Sequence, residues 1–262
     1  MTLLDTHART GRVARINPVA KLGAAFLVAI PLVFTIDIVS AATALALEAL
    51  LLPFAGLGLR EFWLRTLAVW IAAPLSAVTI ALYGHQSGTA YLDWAFVHVS
   101  AGSVQLALAT MFRVLAVALP SVVLFATVDP TDLADGLGQV LRLPSRFVMG
   151  GLAGLRMVGL FLDDWRALEL ARRARGVADR GRLRRFLGMA FALLVLSLRR
   201  GSKLATAMEA RGFGARGART WARRSPFGGR EWALLGLGAA IASVAVGAAV
   251  AAGTWNFILG PG

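Results

Sequence analysis

Apolar residues along this chain gather in five long blocks, Leu22 to Ile36, Ala41 to Leu59, Thr66 to Tyr83, Val104 to Thr127 and Trp232 to Ala252. Each approaches the ~20 residues a helix needs to cross the hydrocarbon core of a bilayer. The pattern therefore predicts five transmembrane helices. The first block is broken only by Pro31 and has the look of a signal peptide, with Val39-Ser40-Ala41 as a cleavage site. It runs almost directly into the second block, which leaves little room for a mature N-terminus. It is read as an uncleaved span followed by a tight turn at residues 37–40.

Between Asp129 and Glu231 the rhythm changes to long segments that are half apolar and half basic. Asp129-Pro130 opens a short helix, with Asp129 or Thr131 as its cap, Pro tolerated in the first turn, and Asp132 and Asp135 at its positive end. It stops near Leu143-Pro144. A second helix is expected from about Arg146 to Arg175, with Leu155, Val158, Leu162, Trp165 and Leu168 at helical spacing. After a turn at residues 176–181, a third runs from Leu183 to Ala210. Its uncharged core, Phe186 to Leu198, is too short to span a bilayer comfortably. These helices are expected to lie on the cytoplasmic side, apolar faces against membrane or a partner. The domain boundaries follow: residues 1–128 as four transmembrane helices, 129–230 as a cytoplasmic module, and 231–262 as a last transmembrane helix.

Composition agrees with this class. The chain is 58% hydrophobic and 16% charged, with a mean hydropathy of +0.70, too apolar for a soluble domain. Charge placement then sets the topology. Of the 27 Lys and Arg, four lie in residues 1–21, Arg60 and Arg65 separate spans two and three, and 20 lie between Asp129 and Glu231. The turn at 37–40, the loop from Gly84 to Ser103 and the tail from Gly253 hold none. That is the positive-inside pattern for an N-terminus in the cytoplasm and a C-terminus outside. The fold class is all-α: a polytopic membrane protein with about five spans and a cytoplasmic module of long amphipathic helices.

The net charge of +13 does not indicate nucleic-acid binding, because no aromatic-interleaved basic platform accompanies it. No phosphate loop, His-Glu-x-x-His or Gly-x-Ser-x-Gly is present, and with three His and no Cys a metal or nucleophilic centre is hard to assemble. No catalytic residue and no metal ligand is assigned, and no cofactor is expected on this chain. Two ionisable groups inside spans, Glu48 and Arg113, are either functional or paired with another helix. His85 and His98, in the aromatic loop between spans three and four, are either a metal or substrate pair or, as the plainer reading, two solvated imidazoles.

The most specific feature is a repeated ending. The second basic helix finishes Ala174-Arg175-Gly176 and the third Ala210-Arg211-Gly212. Gly past the last turn is the usual left-handed terminator, and Arg there complements the helix dipole. The plain alternative is that these are ordinary C-terminal arginines. Together with Asn17-Pro18-Val19-Ala20-Lys21-Leu22 and Asp129-Pro130-Thr131-Asp132-Leu133 followed by Leu143-Pro144, the pair resembles the transmembrane T component (EcfT type) of energy-coupling factor importers. The family's usual Asp is Asn17 here.

The resemblance covers nearly the whole chain and implies a mechanism. Two cytoplasmic ATPases, which bind the ATP and Mg, would each receive one Arg-tipped helix end: Ala174, Arg175 and Gly176 in one, Ala210, Arg211 and Gly212 in the other. A small membrane-embedded S component would carry the vitamin or transition-metal ion. It would slide against the apolar faces of the two helices, at Leu155, Val158, Leu162, Trp165, Leu194 and Leu198. A permease of an ordinary ABC importer is the competing reading, but it needs only one coupling loop per chain. A polytopic membrane enzyme lacks a constellation to act with.

Overall fold

The computed structural model describes residues 13–84, 89–94, 97–176, 181–214 and 220–255. Among them are eight α-helices and one β-hairpin, in the order α1 (Pro18–Val33), α2 (Ile38–Leu51), α3 (Leu59–Tyr83), β1 (Ala90–Trp94), β2 (Val97–Ser100), α4 (Ala101–Ala126), α5 (Pro130–Gln139), α6 (Ser145–Ala174), α7 (Arg182–Ala210) and α8 (Gly229–Ala251). The strands pair antiparallel, with Asp93 opposite His98. The chain divides into two compact units. Among the described residues, one comprises those of 13–129 and 226–255, and the other those of 130–225.

The first unit is a bundle of α1, α2, α3, α4 and α8. Its seams are made by small side chains that let backbones approach closely, as membrane helices require when water supplies no drive between them. Ala44, Ala116 and Ala245 are fully buried where Val28, Leu32 and Ile241 meet, and Ala73 where Val69, Leu115 and Leu119 meet. Gly238 is another such point, since a Cβ there would lie 3.0 Å from the Ala24 carbonyl oxygen. The outward faces carry large apolar side chains such as Phe26, Trp63, Leu64, Ile71 and Leu75, all more than half exposed. Such faces suit lipid.

One end of this bundle is tied by polar groups. Asn17 caps α1, its Oδ1 accepting from the Val19 N–H at 3.0 Å, and Pro18 occupies the first turn. The Asn17 N–H donates to Glu231 Oε1 (3.2 Å), and Glu231 Oε2 accepts from the Gly228 N–H (2.8 Å), so one carboxylate joins the starts of α1 and α8. Lys21, 1% exposed, donates from Nζ to the Thr127 carbonyl (3.2 Å) and Thr127 Oγ1 (2.9 Å) at the end of α4. Arg65 reaches the neighbouring Ala126 carbonyl at 2.7 Å. The terminal carbonyls of α4, orphaned by helix geometry, thus find cationic donors.

Helix limits differ most from the hydrophobic pattern between α2 and α3. The second apolar block does not continue as helix to Leu59. It ends at Leu51 in a 3-10 turn, Leu52–Ala55, because Pro53 cannot extend an α-helix interior and Gly56 takes a left-handed φ of 75°. Leu59 instead opens α3. Among the described residues, four helices are long and apolar enough to cross a membrane, α3, α4, α6 and α8, while α1 and the stretch Ile38–Phe54 are shorter apolar helices. The presence of α6 in that set has a clear cause. Its first half, Phe147 to Leu162, contains a single charge, Arg156, and runs without a break into the charged second half.

The second unit contains α5, α6 and α7. Residues 221–225 lie along α5. The Gln139 amide donates to the Arg223 carbonyl (2.8 Å) and accepts from the Ser225 N–H (2.9 Å), and Arg223 reaches Asp132 at 3.3 Å. A Cβ at Gly138 would meet the Trp221 ring at 2.4 Å, so glycine is what allows the indole to lie there.

Candidate docking site

The two Ala-Arg-Gly ends form the same local structure. In α6 the last helical residue is Ala174, Arg175 is the C-cap (φ −88°, ψ 2°), and Gly176 turns left-handed at φ 68°. In α7 the last is Ala210, Arg211 is the C-cap (φ −89°, ψ 11°), and Gly212 has φ 80°. The Gly176 N–H donates to the Arg173 carbonyl (3.0 Å) and the Gly212 N–H to the Glu209 carbonyl (2.9 Å). After α7 the Phe213 N–H also reaches back to the Met208 carbonyl (2.9 Å), which completes a Schellman stop. Terminal carbonyls are thereby satisfied by the chain itself, and the guanidinium groups are not needed for that purpose. All six residues of the two tripeptides are exposed.

The tripeptide occurs a third time at Ala215-Arg216-Gly217, which the sequence reading passed over and which lies outside the described residues. Its existence shows that the triplet alone carries little. A helix C-terminus carrying the triplet is the informative unit.

Polar pairs and one aromatic contact hold α6 to α7. Arg200 grips Asp164 with both nitrogens (2.6 and 3.3 Å). Glu169 accepts from Arg173 of its own helix (2.8 Å) and from Arg185 of α7 (2.6 Å). The Trp165 and Phe186 rings lie 5.7 Å apart, and the Arg172 guanidinium passes beside Gly188. Every one of these contacts falls within residues 164–173 of α6. Elsewhere α6 also packs against α5, and Val148 and Met189 are buried, but much of the apolar surface of both helices stays exposed. Leu155, Val158, Leu162, Leu194 and Leu198 are between 43% and 63% exposed. Trp165 differs from them, being half-buried against α7. Phe147, Phe186, Leu187 and Phe191 extend the exposed apolar surface.

The ionisable groups inside spans belong to the bundle unit. Glu48 and Arg113 lie in α2 and α4; neither carboxylate oxygen of Glu48 has a hydrogen-bond partner, and the same holds for one Arg113 nitrogen. Among the described residues no ion pair joins them. His98 belongs to β2, and His85 lies outside the described residues. Among the described residues no cluster of three His, Cys, Asp or Glu could hold a metal. The role of Lys21 does not emerge from the Asn-Pro-x-x-Lys-Leu run alone. The signal for it is that a lysine one turn inside an apolar helix needs an acceptor.

Comparison with known proteins gives this arrangement a setting. A family model described as cobalt transport protein (CbiQ) matches residues 12–221, a range that includes both Arg-tipped stops. The energy-coupling factor transporter transmembrane protein EcfT of Limosilactobacillus fermentum is 29% identical over 188 residues, 65% of this chain and 69% of that protein. The protein of the same name from Brevibacillus brevis is 28% identical over 176 residues, 62% of this chain and 66% of that one. That from Bacillus selenitireducens is 25% identical over 238 residues, 85% and 87% respectively.

Proposed function

The chain belongs to the CbiQ family and is an EcfT-type membrane component of an energy-coupling factor transporter in a bacterial membrane; we propose that it is the subunit that passes ATP-driven motion from two cytoplasmic ATPases to a substrate-binding S component. The observation that carries this reading is the pair of matched, exposed Arg caps at Arg175 and Arg211. Each helix closes its own hydrogen bonds and leaves a forked cation free to project. A groove with a carboxylate and backbone carbonyls would hold such a group better than it would hold Lys. The ATP and Mg belong to the ATPases, and this chain carries no catalytic residue.

The exposed apolar stretches support the other half of the reading. Leu155, Val158 and Leu162 of α6 and Leu194 and Leu198 of α7 offer a greasy surface with few directional bonds, suited to sliding contact with an S component. Tilting of α6 and α7 by the ATPases would move that surface as a unit, because the Asp164–Arg200 and Glu169–Arg185 pairs fasten one helix to the other. The cargo is a vitamin or a transition-metal ion, chosen by the S component. The N-terminus lies in the cytoplasm and the C-terminus outside, which a reporter fused at Gly262 checks.

The test is a mild-detergent pull-down of the tagged chain from its native membrane with its neighbours identified by mass spectrometry. ATPase subunits together with a small hydrophobic membrane protein are expected. ATPases with a soluble binding protein and no small membrane partner would instead indicate an ordinary permease. In the same assay Arg211→Glu is expected to weaken ATPase recovery, and undiminished recovery with undiminished uptake would contradict docking.

A further inference from the structure

Within the bundle unit lies a cavity of about 160 Å³, walled by α1, α2, α4, α8, the 3-10 turn after α2 and Val13 ahead of α1. Its lining grades from Phe54, 75% exposed, and Leu237, 40% exposed, to the buried Ala24, Val28, Val123 and Ile241. Phe54 therefore marks its mouth and the inner faces of α1, α2, α4 and α8 its floor. Every lining side chain but one is Val, Ala, Leu, Ile, Phe, Pro or Gly. The exception is Glu48, 4% exposed, with neither carboxylate oxygen hydrogen-bonded.

A carboxyl group held in such surroundings is costly, since its hydration is lost and nothing replaces it. The lining supplies no donor that could compensate: Pro120 lacks even a backbone N–H, and the other side chains are hydrocarbon. A divalent metal does not fit, because one carboxylate falls far short of the six or more oxygens a hard cation takes. What does fit is set by size and chemistry together. An apolar cavity of about 150 Å³ accepts a molecule the size of benzene. The unmet need is for one hydrogen bond to an acidic oxygen at the floor.

We propose that this cavity is a binding site for a small, membrane-soluble molecule with an apolar body of about one ring and a single hydrogen-bond-donating head, a hydroxyl or an ammonium, seated on Glu48. The occupant enters past Phe54 from the lipid. No bond is made or broken, and the site does not depend on ATPase docking, so it stands or falls separately from the coupling role.

Three fluorinated probes with the same ring test it: fluorotoluene, fluorobenzyl alcohol and fluorobenzylamine. Fluorine NMR on the full chain in lipid nanodiscs, against empty nanodiscs, separates binding to protein from partition into lipid. The wild type is expected to show saturable binding, with the alcohol or the amine about tenfold tighter than the toluene, the worth of one buried hydrogen bond. Glu48→Leu should abolish that preference, and Glu48→Gln should keep part of it for the alcohol while losing it for the amine. Ala25→Phe, which fills the cavity, should remove saturable binding of all three. If that variant does not fold, the contrast between Glu48→Leu and Glu48→Gln still decides. Equal binding of the three probes to the wild type, or a preference that survives in Glu48→Leu, would overturn the proposal.

Discussion

The bundle of α1–α4 and α8 and the pair α6–α7 are both rich in apolar residues, yet they use them in opposite ways. In the bundle, Ala and Gly line the seams and most buried positions belong to contacts between its own helices. In the pair, Val148 of α6 and Met189 of α7 are the buried hydrophobic residues among those described, while Phe147, Leu155, Leu183, Phe191 and Leu198 stand more than half exposed. The bundle closes its inner seams by its own packing and turns its remaining large apolar side chains outward, as toward lipid. The pair is joined by ion pairs over one short stretch and leaves its greasy surface for something else. An apolar face that a chain leaves exposed marks a contact with membrane or with a partner, and here it lies on the two helices whose ends carry exposed arginines.

This contrast yields effects of different sizes. Largest is the loss expected from Lys21→Ala in the bundle. It leaves the Thr127 carbonyl and hydroxyl without their buried cationic donor and opens a cavity, so the thermal midpoint in detergent should fall by the equivalent of about 3 kcal/mol. An unchanged midpoint would mean the tie between α1 and α4 is idle. Next is Gly212→Ala, where the left-handed φ of 80° costs a side chain roughly 1–2 kcal/mol. Gly176→Ala should behave alike, with backbone strain as the whole effect because nothing lies within 4 Å of its added Cβ. Both should fray the last turn, which amide hydrogen exchange at residues 173–176 and 208–213 would register. Smallest is the effect of Leu155→Ser with Leu194→Ser on the isolated chain, expected within about 0.5 kcal/mol because neither side chain is buried. The same double variant should nonetheless reduce uptake. A large drop in midpoint would show that these leucines belong to a core.

Much of this architecture was legible because helices announce themselves by pattern and punctuation. Helix α6 falls within one residue of the expected 146–175, and α7 within one of 183–210, since Pro144 and the two Ala-Arg-Gly stops mark their limits. The second apolar block was harder to read. Hydropathy runs on through Pro53 to Leu59, so only backbone geometry reveals the break at the 3-10 turn and Gly56. The strands Ala90–Trp94 and Val97–Ser100 are not legible in the sequence either, because their aromatic and polar residues fit an interfacial loop equally well. Of the site, the stops themselves follow from sequence, because glycine is favoured where φ is positive. That Trp165 turns toward Phe186 while Leu155, Val158 and Leu162 stay exposed does not. Helical spacing places all four on one side, and only the crossing of α7 distinguishes them. Long-range polar ties such as Lys21 to Thr127 and Glu231 to Asn17 also need the fold, since more than a hundred residues separate each pair.

The most direct test of the account counts ATPase subunits on the purified complex by native mass spectrometry, for the wild type and for Arg175→Glu combined with Arg211→Glu. Arg216→Glu, at the third triplet, serves as the internal control. The wild type and the control are expected to carry two ATPase subunits. The double variant should carry none, while keeping the thermal midpoint of the wild-type chain, because the helix stops close through backbone bonds without the guanidinium groups. Two ATPases retained on the double variant, with ATP-dependent uptake intact, would contradict the claim that these arginines dock the motor.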